Sequence, residues 1–243
     1  MVRRFTRAWL VLLFLGSAWT AAAGQLADEV SRQQALAFYR AGQEFMSAEQ
    51  FEKAADSFGN AIQKDRLLVM AHYGLGQAHM NLKRFASAGV AYRGCIGAMA
   101  TLHDLSTTHQ FDVNRQRDEQ IREIRQEIAD VKELSPLKRS VLEQRLRSLE
   151  QEKLDYAGPF RPPAFVLLAL GSAYFRGGDL TAAELQWKAA VDADRKLGEA
   201  HNNLAALYAM SNRKTEAEAA VKAAEKAGFR VNPGLKNQIK ALR

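Results

Sequence analysis

Residues 42–95 read GQEFMSAEQFEKAADSFGNAIQKDRLLVMAHYGLGQAHMNLKRFASAGVAYRGC. Within this stretch Gly42 is followed by Ala54, Phe58 and Ala61 at offsets of 12, 16 and 19, and Gly76 by Ala88, Tyr92 and Cys95 at the same offsets. Further along, Gly171 leads Ala183, Trp187 and Ala190, and Ala205 leads Ala217, Val221 and Ala224. Gly42 and Gly76 are 34 residues apart, as are Gly171 and Ala205. Glycine inside a helix costs about 1 kcal/mol relative to alanine. Its return at one position of a repeat therefore points to a close approach of two helices there. The large residue at offset 16 (Phe58, Tyr92, Trp187) fills the gap between the paired helices, a burial worth roughly 1.5–3 kcal/mol. The small residues at offsets 12 and 19 leave room for it. Nine residues after each anchor come Phe51, Phe85, Leu180 and Lys214, where the second helix of each pair is predicted to begin, Lys214 being the odd member.

This period and this order of small and large residues resemble the tetratricopeptide repeat, a helix–turn–helix unit. The resemblance implies an all-α fold, a helical solenoid of stacked helix pairs. The fourth unit is degenerate, with Ala205 for glycine and Val221 for the ring. A terminal repeat is often atypical because one of its faces has no neighbouring repeat. Asn232-Pro233-Gly234 breaks the chain after it. Leu235, Ile239 and Leu242 then share one helical face, which reads as an amphipathic helix closing the solenoid.

The chain opens MVRRFTRAWLVLLFLGSAWTAAAG. Arg3, Arg4 and Arg7 form a positive region, Ala8 to Trp19 is mostly apolar, and Ala21-Ala22-Ala23 is a small-residue cleavage signal. Export as a signal-bearing protein is expected, to the periplasm or the medium, by ordinary secretion rather than the twin-arginine route. The apolar stretch is shorter than the ~20 residues of a spanning helix, and no transmembrane anchor is expected after cleavage. The formal charge is +7. Removing three arginines and no acid leaves the mature chain near +4. So mild a charge gives no argument for nucleic acid, and export argues against it. Cys95 is the lone cysteine, at a small-residue packing position, and reads as a buried structural thiol.

Between the second and third repeats lie some sixty residues without the pattern. Residues 111–157 hold ten Lys/Arg and eleven Asp/Glu, dense in charge but nearly neutral. Ile121, Ile124, Ile128 and Val131 alternate spacings of three and four, a coiled-coil-type seam. Ser135-Pro136 suits a helix N-cap with proline at the first helical position. A second arm carries Leu142, Leu146 and Leu149. The reading is an antiparallel helical hairpin with its tip near Leu134 to Leu137 and arms of ~20 residues, or ~30 Å. The rival is one long kinked helix that dimerises. Pro162-Pro163 starts the third repeat.

In tetratricopeptide proteins the first helix of each pair lines a concave groove. Carried over by offset, the resemblance implies a lining of Leu36, Tyr39, Gln43 and Met46, then Met70, Tyr73, Gln77 and Met80. Phe165, Leu168, Ser172 and Phe175 follow, then Glu199, Asn202, Ala206 and Ala209. The site residues implied are Tyr39, Gln43, Met46, Tyr73, Gln77, Met80, Phe165, Leu168 and Phe175. Methionine and aromatic rings suit adaptable apolar recognition. The lysine and asparagine clamp with which some family members hold a free carboxylate is not matched, since Tyr39, Tyr73 and Leu168 stand there. The hairpin, or a helix around Leu26 to Val30, is an alternative occupant of the groove. His72 and His79 share a face but are too few for a metal site, and His103, Asp104 and His109 read as a polar loop. No HExxH, phosphate loop, dinucleotide fingerprint or Gly-x-Ser-x-Gly occurs. Neither catalysis nor a cofactor or metal is expected.

The expected organisation is a signal peptide at 1–23, an N-terminal helix with repeats one and two at 24–102, and the hairpin and linker at 103–163. Repeats three and four follow at 164–231 and a capping helix at 232–243. The expected function is an adaptor or assembly factor holding an exported or envelope polypeptide. The alternatives are a homo-oligomeric structural component and a holdase-type chaperone. Cleavage after Ala23 makes the secreted protein begin at Gly24. Intact mass of the protein from a bacterial host checks this, and a retained Met1 would remove the export reading.

Overall fold

The structure, a computed structural model, describes residues 26–130, 135–152 and 158–242. The expected signal segment, Val131, Leu134 and Ala157 lie outside the described residues. Those described form helices and no strand. In chain order these are α1 (Glu29–Ser47), α2 (Phe51–Lys64), α3 (Val69–Asn81), α4 (Phe85–Asp130) and α5 (Pro136–Gln151). Then come α6 (Ala164–Arg176), α7 (Leu180–Ala193), α8 (Gly198–Met210), α9 (Lys214–Lys226) and α10 (Pro233–Ala241). The fold is a helical solenoid with an inserted charged hairpin. Packing separates two units, one of the chain up to Ala100 and from Arg161 onward, the other Thr101–Phe160.

In the first unit each anchor glycine meets the ring predicted for it. A Cβ on Gly42 would stand 2.6 Å from the Phe58 ring, one on Gly76 2.5 Å from Tyr92, and one on Gly171 2.5 Å from Trp187. No real side chain tolerates such contacts, so glycine is required wherever the ring is kept. In the fourth repeat Ala205 is fully buried over the smaller Val221, and alanine is accommodated. The second helices begin at Phe51, Phe85, Leu180 and Lys214, as the offsets predict.

The turn inside each pair repeats as faithfully. Gln50, Arg84, Asp179 and Arg213 each donate a backbone N–H to the carbonyl five residues back, on Phe45, His79, Tyr174 and Tyr208. Glu49, Lys83, Gly178 and Asn212 each donate to the carbonyl three residues back. These two bonds define a Schellman motif, which satisfies helix-end carbonyls and puts the residue after the C-cap in the left-handed region. The four residues have φ of 56°, 58°, 88° and 56°. Glycine and asparagine take that conformation readily; glutamate and lysine carry a strain of about 1–2 kcal/mol.

The third repeat stacks on the second. Ala88 and Tyr92 of α4 pack with Leu170 and Ala173 of α6 in one buried cluster, and Arg93 Nη1 donates to the Tyr174 hydroxyl at 2.6 Å. At the other end, α10 has Asn232 as N-cap and Pro233 in its first turn. It seats Ile239, Leu235 and Leu242 on the terminal core. Lys214, the odd member of its series, holds this cap: its ammonium donates to the Leu242 carbonyl at 2.6 Å and the Lys240 carbonyl at 3.2 Å. A cation there also complements the negative end of the α10 dipole.

In the second unit α4 continues without a break to Asp130, so the first arm grows out of the second repeat's own helix. α5 starts as predicted, Ser135 accepting from the Lys138 N–H with Pro136 in the first turn. Ile124 is buried, and Ile121, Ile128, Leu142, Leu146 and Leu149 are half-buried. Arg125–Glu150 and Lys138–Glu127 ion pairs, both 2.6 Å, join the two helices. Asn114 and Arg117 are also buried, with Arg117 donating to the Asn114 side chain at 3.2 Å.

Gly171→Ala is expected to destabilise by about 1–3 kcal/mol through overpacking. In a Trp187→Val background that penalty should vanish, because Ala205 and Val221 already coexist in the fourth repeat. Chemical denaturation of the four-member cycle checks this; equal penalties in both backgrounds would show that the ring does not dictate the glycine. Separately, Lys83→Gly is expected to raise stability by about 1 kcal/mol by relieving the left-handed strain, read as a higher denaturation midpoint.

Candidate functional site

The first helices of the four repeats, α1, α3, α6 and α8, carry the residues assigned to the groove. Between α1 and α3 lies a depression of about 240 Å³ lined by Tyr39, Gln43, Met46, Met70, Tyr73 and Gln77. Its floor is Phe58 and Gly74. A Cβ on Gly74 would stand 2.7 Å from the Phe58 ring, so this second glycine makes room for the buried ring. A further depression of about 310 Å³ is lined by Met80, Ser172, Phe175, Arg176, Glu199, Asn203 and Ala206 over Trp187.

Of the predicted site residues, Tyr39, Gln43, Met46, Tyr73 and Gln77 come together in the first depression, and Met80 and Phe175 in the second. Phe165 is 47% exposed and sets its ring edge-on to Tyr73, centroids 5.4 Å apart. Leu168 lines neither depression. It packs against the cores below, and its carbonyl accepts from the Trp187 indole N–H at 3.1 Å and the Ser172 hydroxyl at 2.9 Å. Leu26 to Val30 form no separate helix. Glu29 opens α1 itself, with Asp28 as its cap.

Chemically the lining is aromatic, thioether and amide. Gln43 Nε2 donates to the Tyr39 hydroxyl at 2.9 Å, which orients both. Burial, with smaller contributions from Cys95 and Glu199, raises the Tyr73 pKa, so its phenol stays neutral. Sequence offsets did not find Asn203 or Arg176. Nor did they find that the core rings Phe58 and Trp187 double as groove floor.

The groups considered for chemistry have structural employment. Nε2 of His72 and of His201 bond the Arg66 and Arg195 carbonyls at 2.9 and 3.2 Å, each tying a helix to the turn before it. Burial, then the neighbouring Arg84, lowers the His79 pKa. His103 packs on Phe160. Cys95 is fully enclosed, and burial pushes its thiol up to about 11. A thiol so poorly ionised is no nucleophile at neutral pH. Among the described residues no three His, Cys, Asp or Glu gather as metal ligands, and no helix is long and apolar enough to cross a membrane.

Stacked helix pairs with a groove along their first helices define a repeat protein of the tetratricopeptide class. Residues 39–95 and 168–229 match the family model of the tetratricopeptide repeat, so the chain carries that repeat on both sides of its insertion. Solved structures similar to the chain include Pseudomonas aeruginosa pilF, at 14% identity over 86% of this chain and 83% of that one, with a TM-score of 0.37. A thermophilic TPR protein of Thermus thermophilus, TTC0263, matches at 18% identity over 86% and 98%, TM-score 0.35. YrrB, a TPR protein with an unusual peptide-binding site, matches at 16% over 84% and 91%, TM-score 0.30. No curated protein matches the sequence. Tetratricopeptide proteins in general mediate contacts between proteins and act as non-catalytic scaffolds.

Proposed function

We propose that this chain is a non-catalytic adaptor or assembly factor of the bacterial envelope that holds another exported polypeptide along its concave groove. The observation that carries the reading is the pair of open apolar depressions on the first helices, floored by Phe58 and Trp187. Apolar hollows with a few amides at their margins suit side chains of a partner segment. The amides supply donors and acceptors for its backbone. The envelope assignment rests on the arginine-led apolar segment and alanine cleavage signal of residues 1–23.

The test compares affinity capture from envelope extract by the mature protein and by a Met46→Glu, Tyr73→Glu, Phe175→Glu variant whose helical spectrum is unchanged. A discrete partner held by the former and lost by the latter, at least about tenfold weaker, is expected from placing carboxylates in desolvated hollows. A partner retained by both overturns the groove. Recovery of the protein alone favours self-association through the hairpin, where Leu137 is 78% and Val141 56% exposed.

A further inference from the structure

The sixteen positions that the repeat offsets place on the groove include one charged residue, Glu199, the fourth member of the series Leu36, Met70, Phe165, Glu199. Glu199 is exposed at the start of α8 and lines the second depression beside Met80, Phe175 and Asn203. Among the described residues its carboxylate has no ion-pair or hydrogen-bond partner. Arg176, the other charge lining that depression, has its guanidinium 5.6 Å over the Phe85 ring and makes no ion pair with Glu199. Glu199 is close enough to Tyr73 for its charge to act on that phenol, and Tyr73 in turn meets the exposed Phe165 ring. An exposed anion thus stands at the margin of a depression whose lining is otherwise Met80, Phe175 and Trp187 with Ser172, Asn203, Ala206 and Arg176.

We infer that the segment held in this groove is apolar with a lysine or arginine placed against Glu199. This rests on the groove reading above and adds the charge of the ligand to it. A partner seated on the second depression takes water away from the carboxylate, and a desolvated, unpaired carboxylate is strongly unfavourable. A cation on the ligand removes that cost by pairing with the carboxylate. An acidic group placed against Glu199 meets repulsion in the same place. The ligand is therefore identified by its chemistry: large apolar side chains for the two hollows and one basic residue between or beside them.

The test is selection of random 12-residue displayed peptides on the full mature protein, on Glu199→Lys, and on the Met46→Glu, Tyr73→Glu, Phe175→Glu variant. Expected is enrichment of apolar peptides carrying Lys or Arg on the unmodified protein, reversal towards Asp or Glu on Glu199→Lys, and loss on the triple variant. A selected peptide should bind Glu199→Gln at least about tenfold more weakly. Replacing its basic residue by glutamine should then cost nothing further in that variant. Apolar peptides enriched without charge preference, or identically on Glu199→Lys, overturn the inference and leave the groove standing. Enrichment indifferent to the triple variant, or none on any form, overturns the groove and the inference with it.

Discussion

The contact between an aromatic ring and a bare helix backbone governs this molecule. Phe58, Tyr92 and Trp187 each lie where a side chain on the opposing helix would have to be. Because glycine yields that space, the paired helices pack at one fixed separation, and the next repeat meets the same surface each time. The Trp187 indole adds a hydrogen bond to the Leu168 carbonyl and so fixes the ring's orientation. The far sides of Phe58 and Trp187 then form the floors of the two depressions. One residue thereby sets the spacing of the scaffold and the depth of the groove, which ties recognition to stability.

The inserted hairpin needs no separate starting helix. It begins as a continuation of α4, the second helix of its repeat, after the residues that pack on α6 have been used. A helix extended past its contacts needs no new turn and leaves no backbone carbonyl unpaired at the junction. The hairpin holds itself together with a thin seam around Ile124 and with ion pairs that are solvent-exposed and individually weak. Buried Asn114 and Arg117 add a polar layer of the kind that fixes the register of helical pairs at some cost in stability.

Much of this could be read from the chain. Glycine, ring and small residue at fixed offsets located the start of every second helix, because packing and period point to the same positions. The turns were less legible. Glu49 and Lys83 adopt left-handed backbone with no glycine to signal it, and only Gly178 and Asn212 have the expected chemistry. Lys214 looked like decay of the pattern, since its carbonyl partners come from a helix 26 and 28 residues later. The junction at residue 102 was placed by loss of the repeat pattern, whereas the helix continues through it, there being no proline before Pro136. For the groove, offsets assembled seven lining residues but placed Leu168 outward. Its position within α6 serves the core, and its carbonyl is taken by Trp187.

Cys95 occupies the place that alanine fills in the first, third and fourth repeats, fully enclosed and with its ionisation suppressed. Being the lone thiol of the chain, it is a natural clock for local opening. A disulfide reagent can reach it only when the second repeat separates from its neighbours, so the modification rate counts those openings. A ligand bridging the two depressions would clamp that repeat and slow the clock, making occupancy of one face measurable from a sulfur on the inside.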